Sequence, residues 1–143
     1  MRNLALVAML TAVALGGCAS DIGPSSAELK KTWESQNVYP ANYKADLLAL
    51  LRTYLNDPTH VRSASVSQPR LKVIGPDERG ERYVVCVRYT ARNAEGKHTA
   101  PKEGAATFVS GKLDRFLDVS REVRELCKDA AFAPFPELEK LTR

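Results

Sequence analysis

The spacing of apolar residues changes several times along the 143-residue chain, and each change marks an element. From Asn42 to Leu55 the apolar positions Leu47, Leu48, Leu51, Tyr54 and Leu55 recur at three and four. They form one stripe of an amphipathic helix, and Lys44, Asp46, Arg52 and Asn56 form its solvated side. Asn42 suits the N-cap, and Asn56-Asp57-Pro58 ends the helix because a residue before proline disfavours the helical conformation. After His60 the period becomes two. Val61 to Val66 and Arg70 to Ile74 predict short strands broken at Gln68-Pro69, and Gly75-Pro76-Asp77-Glu78-Arg79-Gly80 reads as a turn-rich connection.

Arg82 to Ala91 is the strongest strand pattern. Tyr83, Val85, Val87 and Tyr89 make one face wholly aromatic or β-branched, whereas Arg82, Val84, Cys86 and Arg88 make the other apolar only in its middle. That pattern suits a central strand with a helix on one side. A polar loop from Asn93 to Glu103 follows, then a hairpin of Ala105 to Val109 and Lys112 to Leu117 turned at Ser110-Gly111, with Phe108 and Leu113 facing inward. Val123, Leu126, Cys127 and Ala130 return to helical spacing, predicting a helix from about Arg121 to Ala130 with Ser120 as its N-cap. Phe132 and Phe135 in the Pro-rich tail are expected to pack on the domain, with Pro136 opening a last short turn. The fold class is therefore α+β: an amphipathic helix on an antiparallel sheet of about four to five strands, as one domain over 38–143.

Upstream of that domain the pattern thins. Residues 19–27 are small and polar and contain Gly23-Pro24, the composition of a tether. Ser25-x-x-Glu28 matches a capping box, and Leu29 and Trp33 at i and i+4 allow a short helix that stops by Asn37 to Pro40. Trp33 is expected to dock on the domain. The lipidated N-terminus and tether together are assigned to 18–37.

The first residues change the picture most. Met1-Arg2-Asn3 is a positive start, and Leu4 to Leu15 is an uncharged run of about a dozen residues, against the ~20 that a membrane-spanning helix needs. That is the grammar of a signal peptide. Its end, Leu15-Gly16-Gly17-Cys18, resembles a bacterial lipobox. The resemblance implies a signal peptide over 1–17 and lipidation of Cys18, whose acyl chains, palmitate among them, would anchor the mature chain in the bilayer. Several acyl chains hold a protein far more firmly than one. Asp21 lies too late to resemble the inner-membrane retention signal, so the resemblance implies the outer membrane, facing the periplasm.

Cleavage before Cys18 leaves 126 residues with 20 Lys plus Arg against 17 Asp plus Glu. The charges are interspersed, and no stretch resembles a nucleic-acid stripe. With Cys18 committed to lipid, two cysteines remain, Cys86 and Cys127. In an oxidising compartment an even pair implies a disulfide; the alternatives are a metal site or a thiol nucleophile. There is no C-x-x-C, and His60 and His98 are the only histidines, so no metal or other cofactor is assigned. No G-x-S-x-G, H-E-x-x-H, P-loop or Rossmann glycine pattern is present, and the scattered carboxylates nominate no catalytic pair. The chain is read as a non-enzyme. One constellation carries possible binding chemistry: Arg88, Arg92, Lys97, His98 and Lys102, at the end of the long strand and in the loop after it, which would suit an anionic polymer of the envelope.

Taken whole, Tyr39-Pro40-x-Asn42-Tyr43-Lys44, Leu55-Asn56-Asp57-Pro58, Val84-Val85-Cys86-Val87, Ala91-Arg92-Asn93-Ala94, Cys127 and Pro134-Phe135-Pro136-Glu137-Leu138 resemble a family of short, mostly uncharacterised Gram-negative lipoproteins. The resemblance implies a membrane-anchored envelope protein with an interaction or structural role, its partner an envelope protein or an anionic envelope polymer. A polymer- or ligand-binding protein using the basic loop, or a small envelope enzyme, are the competing expectations.

Overall fold

The computed structural model describes residues 23–74 and 80–142. The leader, Cys18, and residues 75–79 of the expected turn lie outside the described residues. The elements run α1 (Ser26–Ser35), α2 (Tyr43–Tyr54), β1 (Asp57–Ser67), β2 (Arg70–Val73), β3 (Glu81–Arg92), β4 (Lys102–Val109), β5 (Lys112–Leu117), α3 (Ser120–Cys127), β6 (Phe132–Pro134) and α4 (Pro136–Glu139). All strand pairings are antiparallel, in the order β5-β4-β3-β1-β6, with β2 also on β3. The class is α+β, as the hydrophobic pattern predicts, with six strands instead of four to five.

β3 is the centre of this arrangement because both its faces are apolar in the middle. Val85, Val87 and Tyr89 face α2, α4 and Phe135 in the larger core. Val84 and Cys86 face Val123 and Cys127 of α3 in a smaller one. The sequence pattern anticipates helical cover on one side; the structure covers both, since Ala105 on β4 and Val123 continue the apolar patch that Val84 and Cys86 begin. Cys86 and Cys127, 41 positions apart in sequence, form a disulfide with Cα atoms 5.8 Å apart. In the chain-entropy model, closing that loop contributes about 4 kcal/mol. It fixes a helix that otherwise buries only Val123 and Cys127.

β1 and β2 behave as one strand interrupted at Gln68-Pro69. Ser65 and Val66 pair with Arg88 and Val87, and Arg70 to Val73 continue along Val84 to Glu81. At the interruption the Ser67 hydroxyl accepts the Cys86 N–H at 2.8 Å and donates to the Gln68 carbonyl at 3.1 Å, so a side chain carries the ladder past the proline. Further up β1, Ser63 takes a positive φ of 53° at a shift of register. That bulge turns Ala64 outward from the ladder, and its two backbone groups find other partners. The Ala64 N–H donates to Glu139 Oε1 at 2.8 Å, and its carbonyl accepts the Phe135 N–H at 2.9 Å. The bulge therefore holds the C-terminal tail, and Phe135, Leu138 and Leu141 close the larger core.

Several local expectations need correction. Ser120 is the first residue of α3, not its N-cap; Val119 holds the cap position with no side-chain bond, and the helix ends at Cys127 and not Ala130. Asn42 does occupy the N-cap of α2, but its side chain makes no capping bond. The capping box at Ser25 and Glu28 is present, and it opens a helix within the stretch assigned to the tether. The end of that helix is docked on the sheet through buried Arg82. The guanidinium lies 3.8 Å from the centre of the Trp33 ring and donates to the Trp33 carbonyl at 2.8 Å and to Gln36 Oε1 at 2.9 Å. Among the described residues the docked fold thus includes α1, ahead of residue 38.

Gly104 shows how tightly the larger core is packed. It lies beneath the Phe116 ring, and a methyl group placed on it would sit 2.9 Å from Phe116 Cε2 and nearer still to Cζ. Gly104→Ala should displace that ring and destabilise the protein by about 1–3 kcal/mol, the usual cost of overpacking. Urea unfolding of the oxidised protein measures this; an unchanged midpoint would contradict the packing described.

Candidate binding groove at the open end of the sheet

β4 begins at Lys102, but β5 ends at Leu117, opposite Ala105. The first residues of β4 therefore have β3 on one side and, among the described residues, no strand on the other. From Leu117 the chain leaves the sheet through Asp118 and Val119 to enter α3. Between the unpaired part of β4 and that departing segment lies a groove of about 390 Å³, bounded by Tyr54, Lys102, Glu103, Asp118, Ser120 and Arg124. A recess of about 130 Å³ shares Tyr54, Tyr89 and Lys102 with it and reaches Arg92 and Thr99.

The groove has a set floor and a cationic rim. Tyr54 projects from the last turn of α2, 45% exposed, and its hydroxyl donates to Asp118 Oδ2. Its ring meets Phe116 edge-on at 5.1 Å, and Phe116 in turn rests on Gly104. The hydrogen bond to Asp118, with burial and the carboxylate charge behind it, pushes the Tyr54 phenol up to about 12. Tyr89 is also raised to about 12, first by burial and then by Tyr54 and Asp118. Both phenols stay protonated at neutral pH, and the Tyr54 proton is given to Asp118, so towards a ligand the Tyr54 oxygen is left as an acceptor. The carboxylates are held within the protein: Asp118 by Tyr54, and Glu103 by Arg88, whose Nε lies 3.1 Å from Glu103 Oε2. Lys102 and Arg124 have no acidic partner among the described residues.

The basic residues proposed from sequence do not gather on one surface. Arg88 lies on the α3 side of the sheet, paired with Glu103 and stacked at 3.8 Å over Phe132. Arg92 is 4.0 Å from Asp57 at the other edge of β3. His98 bridges to Arg92 in a short turn and lies with Nε2 3.1 Å from the His60 carbonyl. Lys97 is exposed in the same turn, where its N–H is tied to Asn93 Oδ1 at 2.9 Å. Of the five, Lys102 alone lines the groove. Arg88 and Arg92 share a face of β3 but stand four residues apart along it, and each is drawn to its own internal carboxylate, Glu103 and Asp57.

His60, on β1, is bound to its own neighbours in the strand and not into a catalytic relay. Its Nδ1 lies 2.8 Å from both Asp57 Oδ2 and Thr59 Oγ1, so one nitrogen serves both neighbours. A Ser-His-Asp type relay needs opposite ring nitrogens for the base's two partners. The Thr59 hydroxyl and N–H, and then His60, hold the Asp57 carboxyl down to about 2. Among the described residues no three His, Cys, Asp or Glu side chains converge as a metal site.

Sequence reasoning missed Tyr54, Asp118 and Arg124. Tyr54 reads as one more apolar position of the α2 stripe, and only the arrival of Asp118, 64 residues later, gives its hydroxyl a partner. The arrangement brings together two protonated phenols, two cations with no acidic partner among the described residues and a stretch of open strand. Comparison with protein-family models, curated proteins and solved structures returns no match.

The tyrosine assignments predict a spectroscopic result. In an alkaline titration followed at 295 nm, two of the five tyrosines, Tyr54 and Tyr89, should ionise near 12 instead of the ordinary value near 10. Raised phenol values mean that the associated stability is intact below about 10 and is lost as pH climbs towards 12. Asp118→Asn should return Tyr54 towards the ordinary range and leave Tyr89 high, because burial is the larger cause there. Two normal tyrosines in place of these would contradict the assignment.

Proposed function

We propose that the chain is a membrane-anchored bacterial lipoprotein whose periplasm-facing domain is a non-catalytic interaction module of the cell envelope. The observation that carries this reading is the leader ending in Leu15-Gly16-Gly17-Cys18. The cysteine count supports it: Cys86 and Cys127 are joined to each other, so Cys18 is the one cysteine of the chain outside that bond. A disulfide across the middle of the domain suits an oxidising compartment, where such bonds persist. Anchoring through acyl chains asks nothing of the domain itself, and no helix among the described residues is long and apolar enough to cross a membrane.

The interaction role is supported by the groove. It presents donors and cations without a nucleophile and base in contact, which suits holding a ligand and not transforming one. Against a polymer read by the basic loop stands the dispersal of Arg88, Arg92 and His98 into internal pairings.

Intact-mass measurement of the protein purified from envelopes should show a chain beginning at Cys18 and carrying a diacylglyceryl group. Cys18→Ser should accumulate as uncleaved precursor. A soluble mature chain starting at Ala19 would contradict the anchoring. Crosslinking in cells, followed by recovery from solubilised envelope, tests the interaction role: reproducible capture of a defined envelope component supports it, and turnover of a small-molecule substrate by the purified domain contradicts it.

A further inference from the structure

The open end of β4 has a specific backbone consequence. In β3 the even-numbered residues turn their backbone groups towards β1 and β2, because the Cys86 N–H reaches Ser67 Oγ and the Gly80 carbonyl accepts from Ile74. The odd-numbered residues Val87 and Tyr89 therefore bond towards β4, where their partners are Gly104 and Lys102. Glu103, between these two, must turn its N–H and C=O away from β3, into the groove. Continuing the register from Ala105 opposite Leu117, the ladder partner of Glu103 would be Val119. Val119 has left the sheet: its carbonyl is taken by the Val123 N–H at 3.1 Å, in the first turn of α3. One strand-type donor and one acceptor thus face the groove, with no strand among the described residues to receive them.

We propose that this groove binds an extended acidic peptide segment, which adds to the sheet beside Glu103 and places a carboxylate between Lys102 and Arg124. The main-chain pair at Glu103 supplies the strand register, as in other recognition by strand addition. The cations choose the charge: of the groove's own carboxylates Glu103 is paired with Arg88, and Asp118, which keeps its charge while accepting the Tyr54 hydroxyl, is outnumbered by Lys102 and Arg124. Tyr54 and Ser120 line the same space: the Tyr54 oxygen, its proton given to Asp118, can accept from the added segment, and the Ser120 hydroxyl can donate or accept. The charge also argues against a second copy of this chain laying its own Lys102 edge on the first, because that would oppose like charges. The proposal rests on the interaction-module reading and names its partner class.

The test uses the full-length lipidated protein in detergent micelles. The probe is a fluorescent pool of hexapeptides alternating Thr and Val, with a Glu at or next to a C-terminus made as free acid or as amide. Anisotropy should detect binding that weakens with salt. N-methylation of the one peptide residue that pairs with Glu103 should weaken it at least tenfold, while methylation of its neighbours does not. Lys102→Glu with Arg124→Glu should cost a similar factor. Glu103→Pro deletes the groove-facing N–H without removing a bond to β3 and should abolish binding, whereas Glu103→Ala, which loses only the contact with Arg88, should retain it. Slowed exchange of the Glu103 amide in the complex reports strand addition even if the proline variant fails to fold. Comparing acid and amide peptides tells whether a C-terminal or a side-chain carboxylate is read. Binding indifferent to N-methylation, failure of the whole pool to bind, or self-association of the free protein that shields the Glu103 amide would overturn the proposal. None of these outcomes bears on the mass of the mature chain or on envelope crosslinking, so the anchoring and interaction readings stand or fall separately.

Discussion

Everything in this structure depends on a single strand having two faces to bury. β3 carries Val85, Val87 and Tyr89 on one side and Val84 and Cys86 on the other, all nearly excluded from water. Each buried aliphatic side chain contributes about 1.5–3 kcal/mol, so helical cover on both sides is strongly favoured over exposing either face. The two sides are not equal. The larger core recruits α2, the tail and β1 through many residues, while the smaller one has few apolar partners and is completed by the disulfide. A covalent link stands where apolar area is scarce.

The groove follows from the same layout. α2 and α3 approach the sheet from opposite faces, and β5 stops before the beginning of β4 so that the chain can pass from one face to the other. The crossing segment brings Asp118 under Tyr54 at the end of α2 and carries Val119 off the ladder into α3. Gly104 matters to both, since only a residue without a side chain lets Phe116 lie low enough to meet Tyr54. Site and scaffold therefore share their key packing contact.

What the sequence made legible was what local periodicity encodes. The α2 stripe, the alternation of β3, the break at Gln68-Pro69 and the Ser110-Gly111 turn are each set by residues within a few positions; the last has both central residues at positive φ, as a tight hairpin requires. Features that need a distant partner were hidden. The bulge at Ser63 is tolerated because Glu139 and Phe135 satisfy Ala64, and nothing near Ser63 announces them. The docking of α1 depends on Arg82, a charge that reads as a strand's solvated end until Trp33 covers it. The binding surface was the least legible of all. Charges close in sequence suggested a basic loop, yet Arg88 and Arg92 are each drawn to a carboxylate of a different neighbouring strand, Glu103 on β4 and Asp57 on β1. A groove is instead made by residues from α2, β4 and the start of α3.

Residue-resolved native-state hydrogen exchange of the oxidised protein tests the central role of β3 most directly. The account predicts that the amides of Val84 to Tyr89 are the slowest in the molecule and open only with global unfolding, while those of β5 and α1 open through smaller fluctuations. If β3 amides exchange through local opening while α2 remains protected, the doubly buried strand is not what the fold is built upon.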